Sequence, residues 1–238
     1  AGSCLAQTDV YPQFESDKLP ASVFQARRHT LESQMSPNRV AILFTNAEHT
    51  RNNDVTFQFR PASNFLYFTG CEEPESVVVL APSGIDIDGN RVTEVLLVRD
   101  RNAMAETWTG YRMGPDRASK ILGFDKSISI SRFSEVLQAI DKAGAAEVYT
   151  TAIPEGATEG LKFMVDAYLK WKDTKKAVIG LSGMMSRMRA HKSAEEIELI
   201  KHAVDASVVG HIEAMKACRP DMREWEIQAI VEYCFKRQ

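Results

Sequence analysis

The sequence predicts an α/β architecture in which helices pack against a central sheet, and two observations carry that expectation. Short β-rich apolar runs alternate with helically spaced apolar patterns as far as about residue 182, and from Ser193 onward the pattern is helical with no strand after it. A domain boundary is therefore placed at about Gly180-Leu181-Ser182-Gly183. This divides the chain into an arm or processing remnant at 1–21, an α/β domain at 22–182, and a linker with helices at 183–238.

After a polar arm containing Pro12 and Pro20, Ser22 is placed to cap a helix with apolar positions Val23, Ala26, Leu31 and Met35, ending before Ser36-Pro37. Val40 to Phe44 reads as a buried strand. Further strands are expected at Ser76 to Leu80, Val95 to Val98, Glu147 to Thr150 and Ala177 to Ile179. Helices are expected at Arg117 to Leu122, Phe133 to Ala143 and Thr158 to Trp171. Gly84 to Asn90, with two Asp and two Gly, reads as a turn or hairpin connection. Phe57 and Phe59 alternate as on one face of a strand, and Gly70 marks a turn. Ser193 and Glu196 form a capping-box pattern before Ile197, Ile200, Val204, Val208, Ile212 and Met215, which recur at three- and four-residue steps. Arg219-Pro220 ends that helix, and another begins at about Met222 with Trp225, Ile227, Ile230, Val231 and Cys234. Each apolar stripe needs a covering layer, so the chain reads as cut inside a domain.

The bulk properties exclude several classes. With 238 residues, 44% of them hydrophobic and 26% charged, the chain has the composition of a globular protein. A net charge of -3 and a pI near 6.0 give no basic field for nucleic acid or an anionic membrane. No apolar run is long enough to span a bilayer. Cys4, Cys71, Cys218 and Cys234 show no CxxC spacing, so reduced or buried thiols are expected. His29, His49, His191, His202 and His211 include no HExxH pair, and no metal site is expected within the chain. GxGxxG, P-loop and GxSxG patterns are all absent. The opening Ala1-Gly2-Ser3-Cys4-Leu5-Ala6-Gln7 lacks methionine and has small residues placed as at the tail of a signal peptide, with cleavage after Ala6. Export is favoured over a cytoplasmic location, and an expression-tag scar accounts for the same residues.

Three stretches carry chemistry. They are Arg51-Asn52-Asn53-Asp54 through Phe57-Gln58-Phe59-Arg60 to Asn64-Phe65-Leu66-Tyr67-Phe68-Thr69-Gly70; Glu106-Thr107-Trp108-Thr109-Gly110-Tyr111-Arg112; and Met188-Arg189, Lys192-Ser193, Glu195-Glu196-Ile197 with Cys218-Arg219-Pro220. Together they resemble the Xaa-Pro aminopeptidases (aminopeptidase P) of the creatinase/prolidase pita-bread metallopeptidases, from about Arg27 to the end. The resemblance implies an N-terminal domain with a mixed sheet flanked by helices, then the first helices of an incomplete α+β pita-bread domain. It also implies hydrolysis of the peptide bond before a proline at the second position, by two divalent metal ions, usually manganese. Two cations bridging a water can deprotonate it and polarise the scissile carbonyl. The two Asp, one His and two Glu that hold them would lie beyond Gln238, so no catalytic or metal residue is assigned and the chain alone is expected to be inactive.

The resemblance further implies a homo-oligomer in which Trp108 lines a neighbouring subunit's substrate pocket in trans; an ordinary packing role for Trp108 stays open. An aromatic plate suits the first role, since it offers much apolar surface with few rotatable bonds. Asp54, Arg60, Tyr67 and Arg112 are expected to be structural or subunit-contact residues, and the aromatics Phe57, Phe59, Phe65 and Phe68 core or interface. Two other functions are carried: a noncatalytic binding or dimerisation protein of this fold, and a proline dipeptidase or creatinase-like hydrolase.

Overall fold

Apolar strands buried on both faces need helices on both sides, and the structure supplies them around one mixed sheet. The structure, a computed structural model, describes residues 18–151, 159–175 and 177–237. The opening residues Ala1 to Gln7, with Cys4, as well as Pro12 and Thr158, lie outside them. The chain divides into two compact units, Ala1–Met188 and Arg189–Gln238.

In the first unit the helices are α1 (Ala21–Ser33), α2 (Ser63–Thr69), α3 (Ala103–Thr109), α4 (Pro115–Leu122), α5 (Phe133–Lys142), α6 (Glu159–Lys172) and α7 (Ser182–Ala190, crossing into the second unit). The strands are β1 (Arg39–Phe44), β2 (Thr50–Asn52), β3 (Val55–Thr56), β4 (Val77–Ile87), β5 (Asn90–Val98), β6 (Lys126–Ser129), β7 (Glu147–Thr150) and β8 (Ala177–Gly180). Six strands form one sheet in the order β6-β5-β4-β1-β7-β8, and β2-β3 form a separate ribbon. The pairs β1–β4 and β4–β5 are antiparallel, whereas β5–β6, β1–β7 and β7–β8 are parallel, so β4 alone runs against the rest.

The period-2 alternation of side chains sorts β1 onto two cores. Val40, Ile42 and Phe44 pack with Val77, Val79, Val95 and Val148 beneath α5 and α6, where Phe133, Ile140, Tyr168 and Trp171 close the layer. Ala41 and Leu43 pack with Val78, Leu80, Leu96 and Val98 on the opposite face, under Leu31, Phe65, Phe68, Leu122 and Met185. Tyr168 stands edge-on to Phe44 with ring centroids 5.0 Å apart, and Trp171 Nε1 donates to Asp141 Oδ1 at 3.0 Å.

The expected strands and helices are present, with corrections. Ser22 is not the cap of α1: the helix starts at Ala21, and Pro20, extended at φ -66° and ψ 150°, holds the N-cap position with no side-chain bond. Pro20 instead accepts from Val23 N at 3.0 Å. Ala26 is exposed, and the helix buries Arg27, Arg28 and Leu31. The turn expected over Gly84 to Asn90 contracts to Asp88-Gly89, both at positive φ (56° and 74°), a geometry whose twist matches the flanking strands. Phe57 and Phe59 do not lie on a strand. The β2-β3 ladder ends at Thr56, and Pro61 lacks the N–H needed to extend pairing. Past Gly180 the chain is helical rather than looped, because Leu181 and Met185 are drawn into the core.

In the second unit, α8 (Ala194–Ala217) carries the complete Ser193/Glu196 capping box, and α9 is Glu224–Arg237. No described helix is long and apolar enough to cross a membrane.

Burying Arg28 requires that its charge be met within the core. Its Nη1 donates to Phe68 O at 3.1 Å, Nη2 donates to Gly123 O and lies 2.9 Å from Glu94 Oε2, and the guanidinium stands 3.8 Å from the Phe124 ring centroid. Both members of the Arg28–Glu94 pair are at most 1% exposed. Removing one partner of such a pair strands the other in low dielectric, whereas replacing both by apolar groups does not. Arg28→Ala is therefore expected to cost ~3–5 kcal/mol in urea denaturation, and Arg28→Met combined with Glu94→Leu to recover more than half of it. Equal losses in the single and double variants would contradict this account.

Candidate functional site

The segment following β5 is built to hold one aromatic side chain away from the core. Asn102, extended at φ -146°, caps α3 by accepting from Ala105 N at 3.0 Å. Glu106 turns inward. It accepts from Arg101 Nε and Nη2 at 3.3 Å each and from Asn102 N at 3.1 Å. The Arg101 hydrogen bonds hold its carboxyl below the usual range, against the opposing effect of burial. With Glu106 fixed inward, Trp108, two residues on, emerges on the outer face and is 87% exposed. Met104, one turn earlier, is 79% exposed, and Tyr111 is 61% exposed.

Gly110 ends the helix at φ 81° and ψ 174°, a conformation that side chains disfavour. Arg112 then reaches back to Asp100 O at 3.5 Å. Met113 N donates to Glu73 Oε1, which ties this segment to the loop leaving α2. The two sequence motifs distant in the chain are thus joined by one buried carboxylate.

The remaining singled-out residues lie apart from one another. Tyr67 is half-buried on α2, its ring 4.1 Å from the Arg27 guanidinium and its hydroxyl donating to Met188 O at 3.3 Å. Asp54 is exposed in the β2-β3 turn beside Asn53, which has φ 48°. Arg60 is exposed, and its carbonyl accepts from Asn46 Nδ2 at 2.9 Å. Phe65 and Phe68 are fully buried, Phe59 is half-buried, and Phe57 is 57% exposed. A depression of about 610 Å³ lies between the β4-β5 hairpin and α5, lined by Asp86, Asp88, Arg91, Arg132 and Lys142, and none of the motif residues borders it.

A cluster that spacing alone did not reveal lies on α1 and β5. Ligand-type atoms of His29, Glu32 and Glu94 all fall within 4.8 Å of one another. Burial, reinforced by the nearby charges of Glu94 and Asp125, pushes the Glu32 carboxyl up to about 7, with Arg28 opposing. His29 and Glu32, three residues apart, share a helix face and are visible as a pair; Glu94, sixty-two residues later, has no local signature. This donor set does not fit the dinuclear site that the resemblance implies, since it brings one His and two Glu without an Asp.

Residues 24–149 match the family model described as the aminopeptidase P N-terminal domain. A Xaa-Pro aminopeptidase of Haemophilus influenzae is 34% identical over 221 residues, covering 92% of this chain and 48% of the relative. The solved structure of Escherichia coli aminopeptidase P with the inhibitor Pro-Leu superposes with a TM-score of 0.78 at 31% identity, covering 92% of this chain and 50% of that one. A zinc-substituted form of the same enzyme with product matches equally, at 0.78 and 31% over the same shares. The chain spans about half the length of these relatives.

Glu106→Ala is expected to cost about 1–3 kcal/mol, because it leaves the Arg101 and Asn102 donors without their acceptor. Trp108→Ala should shift stability by no more than about 0.5 kcal/mol. The folded-state pKa of Glu106 lies below its unfolded value, so its contribution is present above the ordinary carboxylate range and lost as pH falls through the folded pKa. Denaturation curves across that range check it: the gap between wild type and Glu106→Gln should close on acidification.

Proposed function

The chain belongs to the aminopeptidase P N-terminal domain family, and from that premise we propose that it is the oligomer-forming and substrate-access portion of a metalloaminopeptidase acting on Xaa-Pro peptides. The observation that carries this reading is Trp108, 87% exposed on a helix anchored from beneath by Glu106. An exposed tryptophan held on a braced element is an energetic anchor in search of a partner surface, and Met104 and Tyr111 extend its apolar reach. In this proposal it packs against peptide at the active-site mouth of a neighbouring subunit. Screening the mouth in this way admits short peptides with a free amine. Asp54, Arg60, Tyr67 and Arg112 serve the fold or the subunit contacts rather than the substrate.

The reaction's two divalent metals, manganese in this proposal, and their carboxylate and histidine ligands belong to the portion of the enzyme not represented among these 238 residues. What this chain contributes is binding and orientation. Manganese-dependent release of the first residue from an Arg-Pro-Pro peptide is the test, run on this chain and on one extended through the natural stop codon. Activity is expected only in the longer protein, where Trp108→Ala lowers kcat/KM about tenfold with an unchanged melting temperature. Release by the 238-residue chain alone would overturn the proposal, as would full activity of the Trp108 variant. Inactivity of both proteins would favour a noncatalytic binding protein, and cleavage of Xaa-Pro dipeptides alone would favour a proline dipeptidase.

A further inference from the structure

We propose that His29, Glu32 and Glu94 form a mononuclear site for a divalent transition-metal cation, with zinc as the best-matched ion, separate from the metals of peptide hydrolysis. The three ligand-type atoms approach within 4.8 Å of one another, from one face of α1 and the facing strand β5. Glu94 is 1% exposed, yet neither of its carboxylate oxygens accepts a hydrogen bond. Its Oε2 lies 2.9 Å from Arg28 Nη2 as an ion pair without hydrogen-bond alignment, and its Oε1 faces His29 Nε2 at 3.6 Å. Glu32 Oε1 is likewise a buried oxygen without a donor. Buried acceptors normally find a partner, and here Glu94 Oε1 is left facing the His29 imidazole.

Glu94 and Asp125 both act on Glu32 electrostatically, and Arg28 opposes them. Asp125 is itself engaged, accepting from Thr93 N and Oγ1 at 3.2 and 3.0 Å, so it supports the field rather than serving as a ligand.

One imidazole nitrogen and two carboxylate oxygens form the three-ligand complement of an open zinc site, a water completing it. Bonds of about 2.0–2.2 Å place ligand atoms roughly 3.4 Å apart, so the cluster must contract. Half-buried Glu32 and the His29 side chain, 58% exposed, have the room to turn inward, while Glu94 stays held by Arg28. The exposed imidazole also marks the entry path. The site clamps α1 to β5, so the role we assign is structural.

Zinc binding to the chelator-treated 238-residue chain, followed by calorimetry and thermal melting, tests the site. One equivalent is expected, with a rise in melting temperature. His29→Ala and Glu32→Gln should each weaken binding at least tenfold and abolish the thermal shift, while His202→Ala on α8 leaves both unchanged. His29 is exposed, so its loss leaves the core intact and the test does not depend on whether a Glu94 variant folds. Cobalt(II) should bind without a thiolate charge-transfer band, and manganese more weakly than zinc. No binding, binding undiminished in His29→Ala, or a thiolate band would each overturn the assignment.

Discussion

The first unit depends on a buried arginine. Arg28 sits on α1, yet its guanidinium is fully enclosed and reaches the end of α2 at Phe68 O, the loop closing α4 at Gly123 O, and β5 at Glu94. The planar fork of five donors makes this possible: one side chain meets partners from three elements at fixed angles, a task that an ammonium on a flexible stem performs poorly. The desolvation cost of the charge is offset only while every partner stays in place. The helical layer over this face of the sheet is therefore specified by a polar joint as well as by the apolar packing of Leu31, Phe65 and Leu122.

A second consequence concerns α3. Glu106 draws the helix inward through Arg101, and Glu73 anchors Met113 just beyond it. The segment between these two carboxylates cannot swing to bury Trp108 without breaking one of them. Exposure of the tryptophan is thus a product of polar anchoring rather than of chance surface composition. The same reasoning separates Trp108 from the apolar residues of α8. Ile197, Ile200, Val204, Val208 and Ile212 are each 40–53% exposed and recur along one stripe, which is the signature of a packing face. Trp108 stands apart from such a stripe, 87% exposed on a short helix braced by Glu106.

Much of the fold was legible in the sequence wherever apolar periodicity decides structure. The runs at Val40 to Phe44, Val95 to Val98 and Glu147 to Thr150 are strands because β-branched and aromatic residues suit a doubly covered sheet, and the Ser193/Glu196 box sets the start of α8. What escaped lies where side chains act across the chain. The helix around Phe65 is seven residues long and has no side-chain cap, so its apolar run has no periodicity to distinguish it from a strand. Strand β6, written Lys126-Ser127-Ile128-Ser129, is polar in composition and is a strand because β5 offers it a parallel edge. Arginines 27 and 28 look like the solvent face of α1, and their burial depends on partners 40 and 95 residues away.

The same limit governs the candidate sites. Trp108 stood out through the resemblance carried by Glu106-Thr107-Trp108-Thr109-Gly110, with a packing role left open, and the structure places its side chain outward. The His29, Glu32 and Glu94 group could not be read in this way. Two of its three residues are a helical i, i+3 pair, common on any solvated face, and the third, which makes it unusual, is a glutamate on β5 placed beneath them by the fold. Arg28 connects the two levels. By holding α1 against β5 it both stabilises the layer and brings Glu94 under His29 and Glu32.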